Sequence, residues 1–134
     1  MTRSQSTVDG PPVRVRILAG SAVAIGPGKA DLLEAIADTG SISAAARRMR
    51  MSYRRAWLLV HTMNECFEQP LVDAVKGGPT GGGARITATG QEVLAHYREL
   101  LATATSRFAP YLRQRGKRVA KRTARKTSPR RRSR

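Results

Sequence analysis

The stretch from residue 39 to residue 57 limits the possible folds most strongly. It reads TGSISAAARRMRMSYRRAW and places five arginines in the nine positions from Arg47 to Arg55. Its three consecutive alanines favour a helix, and Ser52 is suited to cap a second helix by accepting a backbone N–H hydrogen bond. Two short helices joined by a tight turn form a helix-turn-helix, whose second helix enters the major groove of DNA.

The charge of the chain also points to a polyanionic partner. No acidic residue lies between Asp38 and Glu65, so nothing in this stretch offsets the arginine charge. The 134 residues carry a formal net charge of +16, and residues 113–134 hold 12 of the 25 lysines and arginines and no acid. A basic tail on a mildly basic body is typical of nucleic-acid binding rather than of an acidic small substrate.

Several other classes of protein are not supported. The lone Cys66 excludes an internal disulfide, and with only two histidines, His61 and His96, no zinc spacing can be drawn. Neither histidine has an acid or thiol arranged to make a nucleophile. The glycine-rich segment at 77–83 lacks the lysine and hydroxyl of a phosphate-binding loop. We therefore expect no enzyme activity, cofactor or metal. A polar N-terminus and the lack of a long apolar run predict a cytoplasmic, nucleoid-associated protein without membrane contact.

The N-terminal part predicts a small hairpin followed by a helix. Val13, Val15 and Ile17 alternate with polar positions, as in a half-buried strand, and Val23 and Ile25 follow as its partner. A first helix over 28–39 places Leu32, Leu33, Ile36 and Ala37 on one face, with Gly40 as its C-terminal stop.

The helix-turn-helix is expected to comprise helices 42–49 and 53–68. Either Ser41 or Ser43 caps the first of these. The second has an inward stripe of apolar residues and leaves Arg54, Arg55 and Leu58 facing outward. The stripe consists of Ala56, Val60, Met63 and Phe67, broadened by Trp57 and Leu59.

The remaining chain predicts a wing, a long helix and a tail. Strands 71–75 and 84–87 flank a loop with five glycines between residues 77 and 83. A helix begins near Ala88, and its cap is either Thr87 or the capping box from Thr89 to Glu92. This helix either continues past Pro110 or stops there before a separate turn. The predicted domains are a disordered N-terminus at 1–12, a DNA-binding domain at 13–112 and a disordered basic tail at 113–134.

The run from Val13 to Leu101, about two thirds of the chain, resembles the N-terminal DNA-binding domain of ModE-type molybdate-responsive transcriptional regulators, which share a winged helix with LysR-type regulators. The resemblance is carried by GSISAAARRMRMSYRRAWLLVHTMNE at 40–65, KGGPTGGGARIT at 76–87 and TATGQEVLAHY at 87–97. It implies a mostly helical α+β winged helix-turn-helix, a DNA-contacting helix from Ser52 to Trp57, a wing at 77–84 and homodimerisation through the first and last helices. In full-length members a pair of small β-barrel modules binds molybdate or tungstate. Here a basic tail stands instead, so we predict no small-molecule effector.

The candidate DNA contacts fall into three groups. Arg54 and Arg55 occupy the turn that reaches base edges, where one arginine reads a base and the other holds a phosphate, in an order that the sequence leaves open. Arg47, Arg48 and Arg50 flank the turn and are expected to hold the phosphate backbone. Ser41, Ser43 and Ser52 are candidate helix caps that also contact phosphate. Tyr53 is expected to contact a phosphate or a thymine, or to pack at the start of the helix. Lys76 and Arg85 are either wing contacts to DNA or ordinary strand-edge charges.

The favoured function is a transcriptional regulator that binds double-stranded DNA sequence-specifically. Two alternatives remain at this point. One is an architectural nucleoid protein in which the tail dominates and sequence discrimination is small. The other, a sensor or store for a small oxyanion, rests only on the family resemblance.

Overall fold

The computed structural model describes residues 13–75 and 83–117. They form a mostly helical α+β fold with two antiparallel hairpins, which confirms the predicted winged helix-turn-helix with a small N-terminal hairpin. The elements are, in chain order, β1 (Ile17–Ala19), β2 (Ala22–Ile25), α1 (Pro27–Thr39), α2 (Ile42–Arg48), α3 (Tyr53–Glu65), β3 (Val72–Val75), β4 (Gly83–Ile86) and α4 (Ala88–Arg115).

The N-terminal hairpin is smaller and more exposed than its sequence pattern predicts. Its turn passes through Gly20 at a φ of 64°, a left-handed conformation that glycine adopts without a steric penalty. The first strand begins at Ile17 rather than Val13, and all three of its residues are exposed. Val13 and Val15 are half-buried, as the alternation predicts. The third residue of the pattern, Ile17, is exposed, because β2 rather than β1 packs against α1 and α3. Lys29 of α1 reinforces this packing by donating a hydrogen bond to the carbonyl of Val23 at 2.5 Å.

The three helices α1, α2 and α3 enclose the core. Leu32, Leu33 and Ile36 of α1 are fully buried, as the helical spacing predicts, while Ala37 is exposed. The first helix stops at Gly40, which has a φ of 73° and donates its N–H to the carbonyl of Ile36. This left-handed terminus is the predicted glycine stop. From α2 the core takes Ala45 and Ala46, from α3 it takes Ala56, Val60 and Met63, and from the segment before β3 it takes Leu71.

The third helix ends at Glu65, three residues earlier than predicted. Cys66 forms its C-cap by donating its N–H to the carbonyl of Met63, and Phe67 lies beyond the helix in a half-buried position. Cys66 itself is half-buried. The prediction of a buried Trp57 is also wrong, since this side chain is 44% exposed.

The wing hairpin pairs Val72 with Ile86 and Val75 with Gly83. The first wing strand begins at Val72, one residue later than predicted. The second begins at Gly83, one residue earlier than predicted. The backbone N–H of Ala84 donates to the carbonyl of Gly40 at 3.0 Å, so the second wing strand is attached to the turn after α1. The glycine-rich loop and Lys76, both predicted DNA contacts, lie outside the described residues.

The last helix begins after Thr87, whose hydroxyl accepts a hydrogen bond from the N–H of Gly90 at 2.9 Å. Thr87 is therefore the cap of this helix, rather than the capping box from Thr89 to Glu92. The helix passes through Pro110 and ends at Arg115, three residues beyond the predicted domain end at Leu112. Residues 14–101 form one packed unit, and the helix from Ala102 onward belongs to a second unit. Within residues 13–75 and 83–117, no helix combines the length and apolar character needed to cross a membrane.

Two contacts attach the first part of α4, residues 88–101, to the rest of the first unit. Tyr97 is 3% exposed and donates its hydroxyl hydrogen to the carbonyl of Val15 at 2.7 Å. Arg98 forms ion pairs with Asp31 at 3.3 Å and Glu34 at 2.9 Å, both on α1. Because these carboxylates lie one helical turn apart, a single guanidinium bridges both and joins the first helix to the last.

Candidate nucleic-acid interface

The first helix of the helix-turn-helix is capped by Ser41. Its Oγ accepts a hydrogen bond from the N–H of Ala44 at 3.0 Å, which decides between the two serines. Ser43 is exposed, and its Oγ lies 3.2 Å from that of Ser41. The hydroxyl of Ser43 therefore stands at the start of α2, where a polar group is well placed to meet a phosphate.

The turn between α2 and α3 is tight and contains a strained residue. The N–H of Met51 donates to the carbonyl of Ala46 at 3.0 Å, which closes the turn over the end of α2. Within it, Arg50 has a φ of 59° and is the only non-glycine residue with a positive φ in the described part of the chain. A side chain in this left-handed region costs about 1–2 kcal/mol relative to a right-handed conformation.

The third helix starts with its basic turn exposed. The Oγ of Ser52 accepts the N–H of Arg55 at 3.0 Å, so this serine is the predicted cap. Arg54 and Arg55 are exposed, and Tyr53 is 54% exposed, which excludes packing in the core for that side chain. The structure thus places the candidate base-reading arginines on an open surface.

The arginines of the interface differ in whether a carboxylate neutralises them. Arg48 pairs with Asp38 at 2.9 Å, and Arg85 lies 4.0 Å from Asp73 on the neighbouring wing strand. Four others have no carboxylate within 4.0 Å among residues 13–75 and 83–117, and their positive charge is therefore uncompensated by direct pairing. They are Arg47, Arg50, Arg54 and Arg55.

Sequence reasoning missed Asn64, the residue that joins the third helix to the wing. Its Oδ1 accepts the N–H of Leu71 at 2.8 Å and that of Val72 at 3.2 Å, and its Nδ2 donates to the carbonyl of Val72 at 3.1 Å. With the bond from Ala84 to Gly40, both wing strands are attached to the helix-turn-helix. An asparagine on the flank of an apolar stripe gives no local signal of such a role.

Sequence reasoning placed Leu58 outward, as observed, but it assigned Trp57 to the inward stripe and so missed the apolar surface that the two form on α3. Trp57 stacks on His61, with ring centroids 5.1 Å apart and planes 7° from parallel. Leu58 is 48% exposed beside this stack. The available signal was the helical wheel, since the stripe Ala56, Val60 and Met63 leaves Leu58 on the opposite side.

Comparison with known proteins agrees with this geometry. The family described as bacterial regulatory helix-turn-helix proteins of the lysR family matches residues 29–91. The molybdenum-pterin-binding protein MopA of Rhodobacter capsulatus is 51% identical over 73 residues, which cover 54% of this chain and 28% of that protein. MopB of the same organism is 43% identical over 89 residues, covering 66% of this chain and 33% of that protein.

A relative whose name states DNA binding is similar over a comparable length. The DNA-binding transcriptional dual regulator ModE of Escherichia coli strain K12 is 42% identical over 76 residues, covering 57% of this chain and 29% of that protein. The chain thus spans no more than about a third of the length of these relatives. The matched residues 29–91 contain all but the first two residues of α1, the complete helix-turn-helix and both wing strands. Over residues 29–91 this chain is therefore similar to LysR-type helix-turn-helix proteins, and these similarities support a ModE-type N-terminal DNA-binding domain.

Proposed function

We propose that this protein is a sequence-specific DNA-binding transcriptional regulator that inserts α3 into the major groove. The observation that supports it best is the exposed first turn of α3, where Arg54 and Arg55 carry uncompensated charge. Arginine reads guanine through a bidentate hydrogen bond to O6 and N7, and the start of a recognition helix is where such contacts occur.

The other candidate residues hold the DNA backbone in this proposal. Arg47 and Arg50 contact phosphates directly, while Arg48 does so in competition with Asp38. The hydroxyls of Ser41, Ser43, Ser52 and Tyr53 add hydrogen bonds, and Lys76 and Arg85 contact phosphates from the wing.

We also infer that the protein acts as a homodimer. The last helix carries large exposed apolar side chains that a second copy would cover, which supports this arrangement. They are Leu100, Phe108, Tyr111 and Leu112. A two-fold dimer presents two recognition helices to half-sites about 34–36 Å apart, so the preferred DNA site is expected to be palindromic.

Selection of bound sequences from a random duplex pool tests the function. We expect one palindromic site that the full chain prefers by at least ~10³ over random DNA. Arg54→Ala and Arg55→Ala should each reduce this preference, whereas Arg107→Ala, an exposed arginine on α4, should leave it unchanged. A preference near one would contradict the proposal and favour an architectural DNA-binding protein.

The basic tail is proposed to add affinity without sequence information. Residues 118–134 hold nine lysines and arginines, and their removal leaves α4 complete. Each phosphate contact changes the slope of log K against log salt by about 0.9. The deletion should therefore weaken binding to all sequences alike and flatten that slope. An unchanged slope would exclude the tail as a DNA contact.

A further inference from the structure

We infer that Leu58, flanked by Trp57, is a specificity-determining residue that contacts the C5-methyl group of a thymine in the major groove. The inference deepens the proposed function and rests on it. Its starting point is that Leu58 and Trp57, two large apolar side chains, remain 48% and 44% exposed. The opposite face of the same helix is the one that packs in the core.

The register of α3 places Leu58 on the DNA-facing side. Ala56 and Met63 are fully buried, and Val60 is 6% exposed, which fixes the inward face of the helix. Leu58 follows Arg54 by four residues, so the two side chains lie on the same outward face about one helical turn, 5.4 Å, apart. If Arg54 reaches a base edge, Leu58 faces a neighbouring base pair.

The stack of Trp57 on His61 restrains the orientation of the tryptophan ring at this surface. The two rings are 5.1 Å apart and nearly parallel, and they lie beside the exposed leucine. Because each ring contacts the other, neither is free to turn away from the surface without losing that contact. Leu58 and Trp57 form an exposed apolar ridge among basic side chains, in which the ring of Trp57 is restrained by its stack on His61. We call it the α3 ridge.

Charge identifies the occupant of the α3 ridge. Arg47, Arg50, Arg54 and Arg55 are exposed nearby and lack a carboxylate partner among the described residues. A second copy of this face would bring like charges together, while duplex DNA supplies phosphates for the arginines. The apolar groups that DNA exposes in its major groove are the methyl groups of thymine, and aliphatic side chains distinguish T·A pairs by contact with them.

Replacing thymine by deoxyuridine in the selected site tests the inference, because it removes the methyl group and keeps every hydrogen-bonding atom. With the full wild-type chain, at least one such replacement in each half-site should weaken binding about fourfold, the effect of losing one buried methyl group. Leu58→Ala should abolish this thymine-to-uracil ratio. Leu18→Ala, which alters a leucine that is 62% exposed on β1, should retain it.

The outcomes separate this inference from the proposed function. Arg54→Ala should weaken binding to the thymine and uracil sites alike, so that the ratio persists. If a preferred site is selected but no uracil replacement matters, or Leu58→Ala keeps the ratio, the α3 ridge does not read thymine although the regulator proposal stands. If no preferred site is selected, both proposals fail. Since Leu58 is exposed, unchanged thermal unfolding of Leu58→Ala verifies that its fold is intact.

Discussion

The side-chain Oδ1 of Asn64 accepts the backbone N–H of Leu71 at 2.8 Å, and this bond connects the last turn of α3 to the start of the wing. The same amide also bonds both backbone groups of Val72. A single side chain thus satisfies three main-chain groups next to Leu71, which is fully buried. The position of the wing relative to the recognition helix depends on this residue.

Asn64→Ala should destabilise the domain and weaken DNA binding. The substitution leaves the N–H groups of Leu71 and Val72 without their partner, and an unsatisfied buried group costs about 1–3 kcal/mol. Urea unfolding measures the loss of stability, and binding to the selected site measures the effect on the wing. Glu65→Ala, an exposed neighbour on the same helix, is the control and should change stability by less than about 0.5 kcal/mol. Equal stability of the two variants would contradict the role of Asn64.

Gly90→Ala should destabilise the domain, whereas Gly28→Ala should not. A Cβ atom at Gly90 would overlap the carbonyl oxygen of Leu71 and lie 2.7 Å from the Ile86 side chain. Because the oxygen belongs to the backbone, α4 would have to shift, at a cost of about 1–3 kcal/mol. A Cβ at Gly28 meets nothing within 4 Å, and alanine favours the helix by up to about 1 kcal/mol. Thermal unfolding of both variants checks this pair.

Arg50→Gly should separate stability from DNA binding. Glycine removes the left-handed strain at a φ of 59°, so the free energy of unfolding should rise by up to about 1 kcal/mol. Binding should weaken because a phosphate contact is lost. Arg47→Ala, in a helical conformation, should weaken binding without the gain in stability. A drop in the stability of Arg50→Gly would show that the arginine side chain contributes to the fold itself.

Asp38→Asn should strengthen DNA binding. Its carboxylate holds the Arg48 guanidinium at 2.9 Å, and both side chains are exposed. An exposed pair is weak, so releasing Arg48 should increase affinity by up to about fivefold. Asp31→Asn removes the same charge from α1 but acts on the pairing with Arg98. Titrating DNA with both variants at constant salt separates the release of Arg48 from the general loss of one negative charge. Equal affinities of the two variants would exclude an effect of releasing Arg48.

The stability of the domain should fall above pH 10, in part through Tyr97. Burial raises the pKa of its phenol above the ordinary value of 10.0. The folded state therefore favours the neutral phenol, and this contribution is complete below pH 10 and disappears as pH rises through the folded-state pKa. Tyr97→Phe should flatten this alkaline decline in urea unfolding and cost about 1 kcal/mol at neutral pH through the lost bond to Val15. Tyr53→Phe, at an exposed position, should keep the wild-type decline.

Local signals were sufficient for much of the fold. Gly40 and Ser52 were identified because a helix stop and a helix cap depend on residues within one turn, and both occur as predicted. The end of α3 was misplaced because the helix stops at its Cys66 cap, next to Asn64, which bonds the backbone at the start of the wing. Such a tertiary contact is not visible in the sequence. Burial of β1 was overestimated because alternation does not reveal which of two strands meets the helices.

The site was predictable where charge identifies it and not where it depends on packing. The exposed turn at Arg54 and Arg55 was found from sequence, while Trp57 was assigned to the core because it lies beside the apolar stripe. Whether an arginine is compensated also depends on tertiary structure, since Asp38 meets Arg48 only when α1 and α2 are packed. Helical spacing alone does not state how far a buried stripe extends around the helix.

The attachment of Ala84 to Gly40 has a mechanical consequence. Because β3 is attached to one end of the helix-turn-helix and β4 to the other, these hydrogen bonds restrain the wing strands relative to α3. In the proposed function, strands restrained in this way adjust little to different groove widths, and the duplex supplies the deformation. Base pairs between the helix and wing contacts should thus influence affinity through their flexibility, although no side chain touches them.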